Sequence, residues 1–359
     1  MADIYINYGT NLQEMTVALL EKADIAARLN PSMRIVLKPN LVVARLAEEG
    51  ATTHPEIAEG VIQYLQGHGL NNILIAEGSW VGASTQNAWQ ACGYAPLAKQ
   101  YQVDLLDTKQ DAVVHKKTAH GVEVALCATV AAADYLINLP VLKGHCQTDM
   151  TCCLKNMKGC IPDSEKRRFH TIGLHKPIAA LNTALKPQLH IVDSICGDLS
   201  FEEGGNPIDS GRIMLGFDPV LLDSYGAQLM GYDPDDIDHL RYAKEYGVGK
   251  YVEESTEIVE LNTENRPKTQ PSRSRAASSL GKYISEDSAC SACYAALIFA
   301  LDKTGWHQTG EKIHIGQGYK GKTLPGLGVG NCAAGCRAFA PGCPPKSVDI
   351  VRFLQAQQG

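Results

Sequence analysis

A chain of 359 residues with formal charge −6, 45% hydrophobic residues and 20% charged residues is long enough for two domains, or one large domain with an appendage. This composition excludes a disordered or polybasic chain and argues against nucleic acid as a partner. Twelve cysteines are too few for a disulfide scaffold and more than an ordinary enzyme carries. With no secretory pattern at the start and no apolar run of 18 residues, the expected setting is a reducing cytoplasm with no membrane partner.

In chain order, residues 3–7, 34–38, 72–77 and 103–107 are short β-branched or leucine-rich runs, and helical periodicity marks 12–28 and 56–67. This alternation predicts an α/β fold, a mostly parallel sheet with helices on both faces. Strands are expected again at 135–139, 188–193 and 213–217, then a helix over 219–230 with Pro219 in its first turn and Gly231 as its stop. Residues 262–287, rich in Pro, Ser and Arg, read as a linker or wrapped connection. The chain therefore divides into an α/β body over 1–261 and a small cysteine-rich module over 288–359, which carries five of the twelve cysteines.

In that module Cys290 and Cys293 form a C-x-x-C at the start of a helix expected from about Ala292, and Cys332, Cys336 and Cys343 follow. Two thiolates at i and i+3 ligate one centre, and a helix N-terminus helps keep them deprotonated. Paired short knuckles suit zinc, whereas a last ligand in a Cys-Pro, as in GCPP at 342–345, suits an iron–sulfur cube. The glycines at 326, 328, 330 and 335 admit backbone N–H groups to inorganic sulfide. A 4Fe-4S cluster on Cys290, Cys293, Cys332 and Cys343 is the favoured reading and zinc the alternative; Cys336 is a spare thiol near the cluster, a replacement ligand or a small buried hydrophobe.

In the body, residues 137–162 follow an expected strand and concentrate polar groups, and ligand sites lie beyond the carboxyl ends of parallel strands. Lys143, His145, Lys155 and His170 are the candidate catalytic residues, with Lys38, Asn40 and Asn156 binding a small anionic substrate or cofactor. A solvated basic loop accounts for Lys158, Lys166, Arg167 and Arg168. Cys146, Cys152, Cys153 and Cys160 read as small core or loop residues, with the side chains of Cys152 and Cys153 pointing apart if helical. Asp218 and Asp223 read as helix caps or site residues. No dinucleotide, Walker, H-E-x-x-H or G-x-S-x-G motif occurs in a fitting context.

LKPNLV (37–42), TTHPE (52–56), INLPVLKGH (137–145), LKNMKGCIP (154–162), His170, IVDSICG (191–197) and FDPVLLDSYGAQLMG (217–231), with a GNC…PGCPP tail, resemble the domain-of-unknown-function 362 family of iron–sulfur-associated proteins. The resemblance covers roughly 34–235 and implies an α/β fold of the kind found in nickel-pincer lactate racemases, although no racemase cofactor motif is found here. Many members carry a C-x2-C-x2-C-x3-C-P run, which is absent, and the resemblance supplies no settled reaction.

The favoured function is therefore an oxidoreductase-like enzyme acting on a small anion beside a 4Fe-4S cluster, with a lysine or histidine as general acid. One alternative is an electron-transfer or accessory protein docking on a redox partner protein. The other is a structural cluster or zinc site in a binding protein or isomerase.

Overall fold

The computed structural model describes residues 2–268, 279–306 and 312–358. Part of the expected connection, 269–278, lies outside the described residues. An eight-stranded sheet forms from β1 (Ile4–Tyr8), β2 (Ile35–Pro39), β3 (Ile73–Glu77), β4 (Asp104–Asp107), β7 (Tyr135–Leu139), β10 (Leu189–Asp198), β11 (Pro207–Gly216) and β12 (Ile258–Leu261). Two small antiparallel hairpins stand outside it: β5 (Val113–Lys117) with β6 (Glu123–Cys127), and β8 (Lys143–His145) with β9 (Asp149–Thr151). The order is β12-β1-β11-β10-β7-β2-β3-β4, and only β11 runs against its neighbours in this sheet.

Period-two alternation explains why both faces are covered. Ile35 and Leu37, Ile73 and Ile75, and Tyr135, Ile137 and Leu139 enter one core. Val36, Leu74, Ala76, Leu136, Val192 and Met214 enter the other. On the first face pack α1 (Leu12–Lys22), α2 (Pro55–Gly67), α3 (Thr85–Ala91) and α4 (Tyr94–Tyr101). The second face carries α5 (Ala128–Ala131), α6 (Cys153–Asn156), α7 (Asp163–Thr171), α8 (His175–Ala184), α9 (Pro219–Leu229) and α10 (Asp238–Glu245). The helix expected over 12–28 stops at Lys22 because Asp24 takes a left-handed φ of 49°.

Asp218 caps α9, its carboxylate accepting from the N–H groups of Val220 and Leu221. Asp218→Ala is expected to lower stability by about 1 kcal/mol, read as a shift in the urea midpoint with an unchanged slope.

The chain leaves β2 toward β3 on one side and β7 toward β10 on the other, with α2 and α8 on opposite faces, as right-handed crossovers demand. A switch point thus opens between the carboxyl ends of β2 and β7. Over it sits a second, all-parallel sheet of β13 (Ile284–Glu286), β14 (Ile313–Ile315), β15 (Leu324–Val329) and β16 (Cys336–Ala340). Helices α11 (Ser291–Thr304) and α12 (Ser347–Gln358) share its separate core, which also takes Phe201 from the body. This sheet begins at Ile284, inside the stretch read as connection. Gln147 ties it to the body by donating to Glu286 Oε1 and to Ala289 O. None of the described helices is long and apolar enough to cross a membrane.

Candidate functional site

The polar residues at the switch point are placed by strand register. Lys38 pairs with Asn138 across β2 and β7, and Asn138 with His190 across β7 and β10, so three polar side chains line up on the face that carries α6. Asn138 Nδ2 donates to Cys153 O and lies 3.1 Å from His190 Nδ1. Burial holds His190 neutral, lowered to about 3.

Lys38 is fully buried, its Nζ 2.5 Å from Glu77 Oε2 at the end of β3, and it also donates to Pro39 O and Asn156 Oδ1. Gly159 makes room for this pair. A Cβ there would sit 2.2 Å from Glu77 Oε1 and 2.6 Å from Lys38 Nζ. Gly159→Ala should therefore displace the pair and cost about 1–3 kcal/mol, a loss of midpoint on thermal or urea unfolding.

Lys155 Nζ lies 2.5 Å from Glu202 Oε1, and His145 Nε2 stands 2.9 Å from Glu202 Oε2, at ion-pair distance but off the line of a good hydrogen bond. His145 Nδ1 accepts from the N–H groups of Gln147 and Thr148, so the ring proton sits on Nε2. Burial, only partly offset by Glu202, pushes His145 down to about 4. Lys143 donates to Ala51 O at 2.5 Å, to Glu202 O and to Asn40 Oδ1, and burial lowers it to about 8.

A cleft enclosing about 630 Å³ opens above these groups. Asn40, Lys155, Asn156 and His170 line it, whereas Lys38, Lys143 and His145 stand behind it. The sequence placed all seven at one site; the fold divides them into a wall and a buried support. The opposite wall is Cys290, Ser291 and Ala292, at the start of α11.

The expectation of a solvated basic loop is corrected for Lys158 and Lys166, whereas Arg167 is exposed as expected and Arg168 partly so. Helix α7 turns Lys166 inward, where it donates to Gly78 O and Ser79 O, and Lys158 lines the cleft. Lys158 Nζ and Ser291 Oγ each lie 3.4 Å from His170 Nε2, and among the described residues no carboxylate pairs with Lys158. Burial, with Lys155 nearby, lowers Lys158 to about 7, and burial and Lys158 hold His170 well below its usual range. Sequence reasoning missed Glu77, Glu202 and Lys158. Only the position of Glu77 at a strand end offered a signal.

Cys152, Cys153 and Cys160 are buried, as expected of core thiols, and Cys146 is half-buried. The Sγ atoms of Cys152 and Cys153 do not point apart; they lie 3.9 Å from each other because Cys152 caps α6 in extended rather than helical backbone. Asp223 caps the same helix, accepting from the N–H groups of Cys153 and Leu154.

At the other end of the cleft, burial raises Cys290 and Cys293. Each is raised further by the nearness of Cys332 and Cys343, so the four thiols belong to one neighbourhood. Cys336 feels burial alone, and its Sγ lies 2.9 Å from where a Cβ on Gly328 would project, turned into the β15–β16 pairing. Gly330, at φ 85°, leaves backbone space 3.9 Å from Cys293 Sγ. Tetrahedral zinc at 2.3 Å would hold its sulfurs roughly 3.8 Å apart. Among the described residues only Cys152, Cys153 and Asp223 place three ligand atoms within 4.8 Å of one another. Among the described residues the C-terminal thiols do not form a group that tight.

A thylakoid-associated protein of Synechocystis sp. is 26% identical over 262 residues, 69% of this chain and 78% of that one. Two solved structures are similar in part: the lactate racemase apoprotein of Thermoanaerobacterium thermosaccharolyticum (TM-score 0.40, 12% identity, 67% of this chain) and a Thermotoga maritima protein (TM-score 0.41, 14% identity, 66% of this chain). The aligned regions span 56% and 60% of the lengths of those two proteins. A family model for a domain of unknown function, DUF362, matches residues 35–228, which include the switch point and the lysine wall. The chain therefore belongs to the DUF362 family.

Proposed function

We propose that the protein is a 4Fe-4S redox enzyme acting on a small anion. The observation that carries this reading is that one cleft has Cys290–Ala292 on one wall and Lys155, Lys158 and His170 on the other. Cys290, Cys293, Cys332 and Cys343 would hold the cluster, which supplies one-electron chemistry when bound. The rest of the work falls to this chain's own side chains.

Lys38 neutralises Glu77, Lys155 neutralises Glu202 and Lys166 pairs with Asp163, which leaves Lys158 as the lining lysine with no carboxylate partner among the described residues. An anionic substrate binds there, with the Asn40 amide as a donor from the floor, while Asn156 spends its amide on Lys38 O and Asn138 Oδ1 and so holds the floor in place. Lys158 is poised to give up a proton near pH 7, and neutral His170 Nε2 is placed to accept it or pass it to Ser291. Trp80 and Val42 supply the apolar part of the wall that keeps water from the bound anion. Cys343 is exposed, which leaves one edge of the thiol group open to a redox partner protein.

Thermal-shift titration of anaerobically purified protein with a panel of small carboxylates and phosphates tests the pocket. At least one anion should stabilise the wild type, and stabilisation should be lost in Lys158→Met. It should also fade as pH rises through about 7, because the protonated amine that binds is the low-pH form. An anion response retained in full by Lys158→Met would remove the lysine from the site.

A further inference from the structure

Two sequence blocks, TTHPE and IVDSICG, take no part in the cleft, yet they meet in space. His54, at the entry to α2, sends its ring Nδ1 and its backbone N–H to the same oxygen of Asp193, each at 2.8 Å. Its other ring nitrogen, Nε2, lies 3.7 Å from Cys196 Sγ. The thiol also lies 3.6 Å from Ala47 O, to which it can donate. Asp193 is 1% exposed and His54 7%, whereas Cys196 is half-buried and lines an open cleft of about 2,010 Å³ distinct from the lysine cleft. The ladder between β10 and β11 is irregular here: Ser194 pairs with Arg212 and Cys196 with Asp209, so the extra residue lies on β11 opposite the place where His54 reaches Cys196.

We propose that Cys196, His54 and Asp193 form a second active site, with Cys196 as nucleophile, His54 as its acid–base partner and Asp193 as the positioning residue. Burial alone would depress His54, but the Asp193 carboxylate outweighs it and raises the imidazole to about 11, so the ring carries both protons at neutral pH and presents one of them on Nε2 toward Cys196 Sγ. Glu48, Glu56 and Asp209 are the other titratable groups on the cleft wall, and among its described lining residues there is no lysine or arginine. The site therefore takes a neutral or cationic ester or amide, the reverse of the anion expected in the lysine cleft.

The reaction balances without a further reagent. The thiolate attacks the acyl carbon and a C–S bond forms. The bond to the leaving alcohol or amine breaks, and that group departs with the Nε2 proton of His54. Water then gives a proton back to Nε2 as it attacks the thioester, and the carboxylic acid and the thiolate are released.

The test uses the full chain, purified anaerobically. Iodoacetamide labelling of Cys196, followed by peptide mass spectrometry, should change less than about 3-fold between pH 6 and 8 in the wild type, whereas an ordinary thiol slows roughly 80-fold. His54→Gln and Asp193→Asn should each restore the steep profile, an effect that a merely structural role would not produce. Anionic iodoacetate should label more slowly than iodoacetamide. With p-nitrophenyl acetate, a burst of nitrophenolate should accompany one acetyl group on Cys196, and Cys196→Ala should lose the burst while keeping the wild-type circular dichroism. A steep wild-type profile, an unlabelled Cys196, or a burst that survives in Cys196→Ala would each overturn the proposal.

Discussion

Lys38→Met is expected to destabilise the protein by about 3–5 kcal/mol, because it leaves the Glu77 carboxylate buried without its cation. The two side chains are 0% and 3% exposed, so the carboxylate left behind is poorly solvated. Asn156 would also lose a donor to its Oδ1, and the floor of the cleft would shift with it. The double variant Lys38→Met/Glu77→Gln should recover most of the loss, since a neutral amide can still accept from Leu41 N–H, as Glu77 does now. Urea midpoints for the two single variants and the double variant form a cycle that isolates the pair. If Lys38→Met is no less stable than the wild type, Lys38 and Glu77 do not form the buried support described above.

Cys293→Ser is expected to lose most of its bound iron and sulfide on anaerobic purification, whereas Cys336→Ser should keep them. The distinction follows from surroundings: Cys290, Cys332 and Cys343 all act electrostatically on Cys293, while Cys336 Sγ packs against Gly328 in the second sheet. A folded Cys293→Ser protein with an unchanged unfolding midpoint would place the cluster in redox work. Collapse of the second sheet with the metal would place it in structure. Equal iron in both variants would contradict the ligand assignment.

The body of the fold was legible because strands such as β2, β3 and β7 are buried on both faces and read as unbroken apolar runs. The hairpin β5–β6 was not, since every residue of β5 is exposed and VVHKK carries no burial pattern. The second sheet escaped for a different reason. Its strands are only three to six residues long, and the longest is broken by a proline and two glycines, so no period shows.

At the site, Lys38, Lys143 and Lys155 stood out as charges set among apolar residues at expected strand and helix ends. Their carboxylate partners did not, because Glu77 lies 39 residues from Lys38 and Glu202 lies 47 from Lys155. Pairing at such separations is a product of topology and leaves no local mark. Lys158 and Lys166 were hidden by the polar run SEKRRFH, which reads as solvated until α7 turns one face inward. The thiol of Cys196 was hidden likewise, since the histidine that meets it lies 142 residues away.

The most direct test of the central reading is analysis of anaerobically purified protein for iron, acid-labile sulfide and zinc, with electron paramagnetic resonance before and after dithionite. The account predicts about four irons and four sulfides per chain and a signal that appears on reduction. One zinc per chain with no sulfide would contradict it.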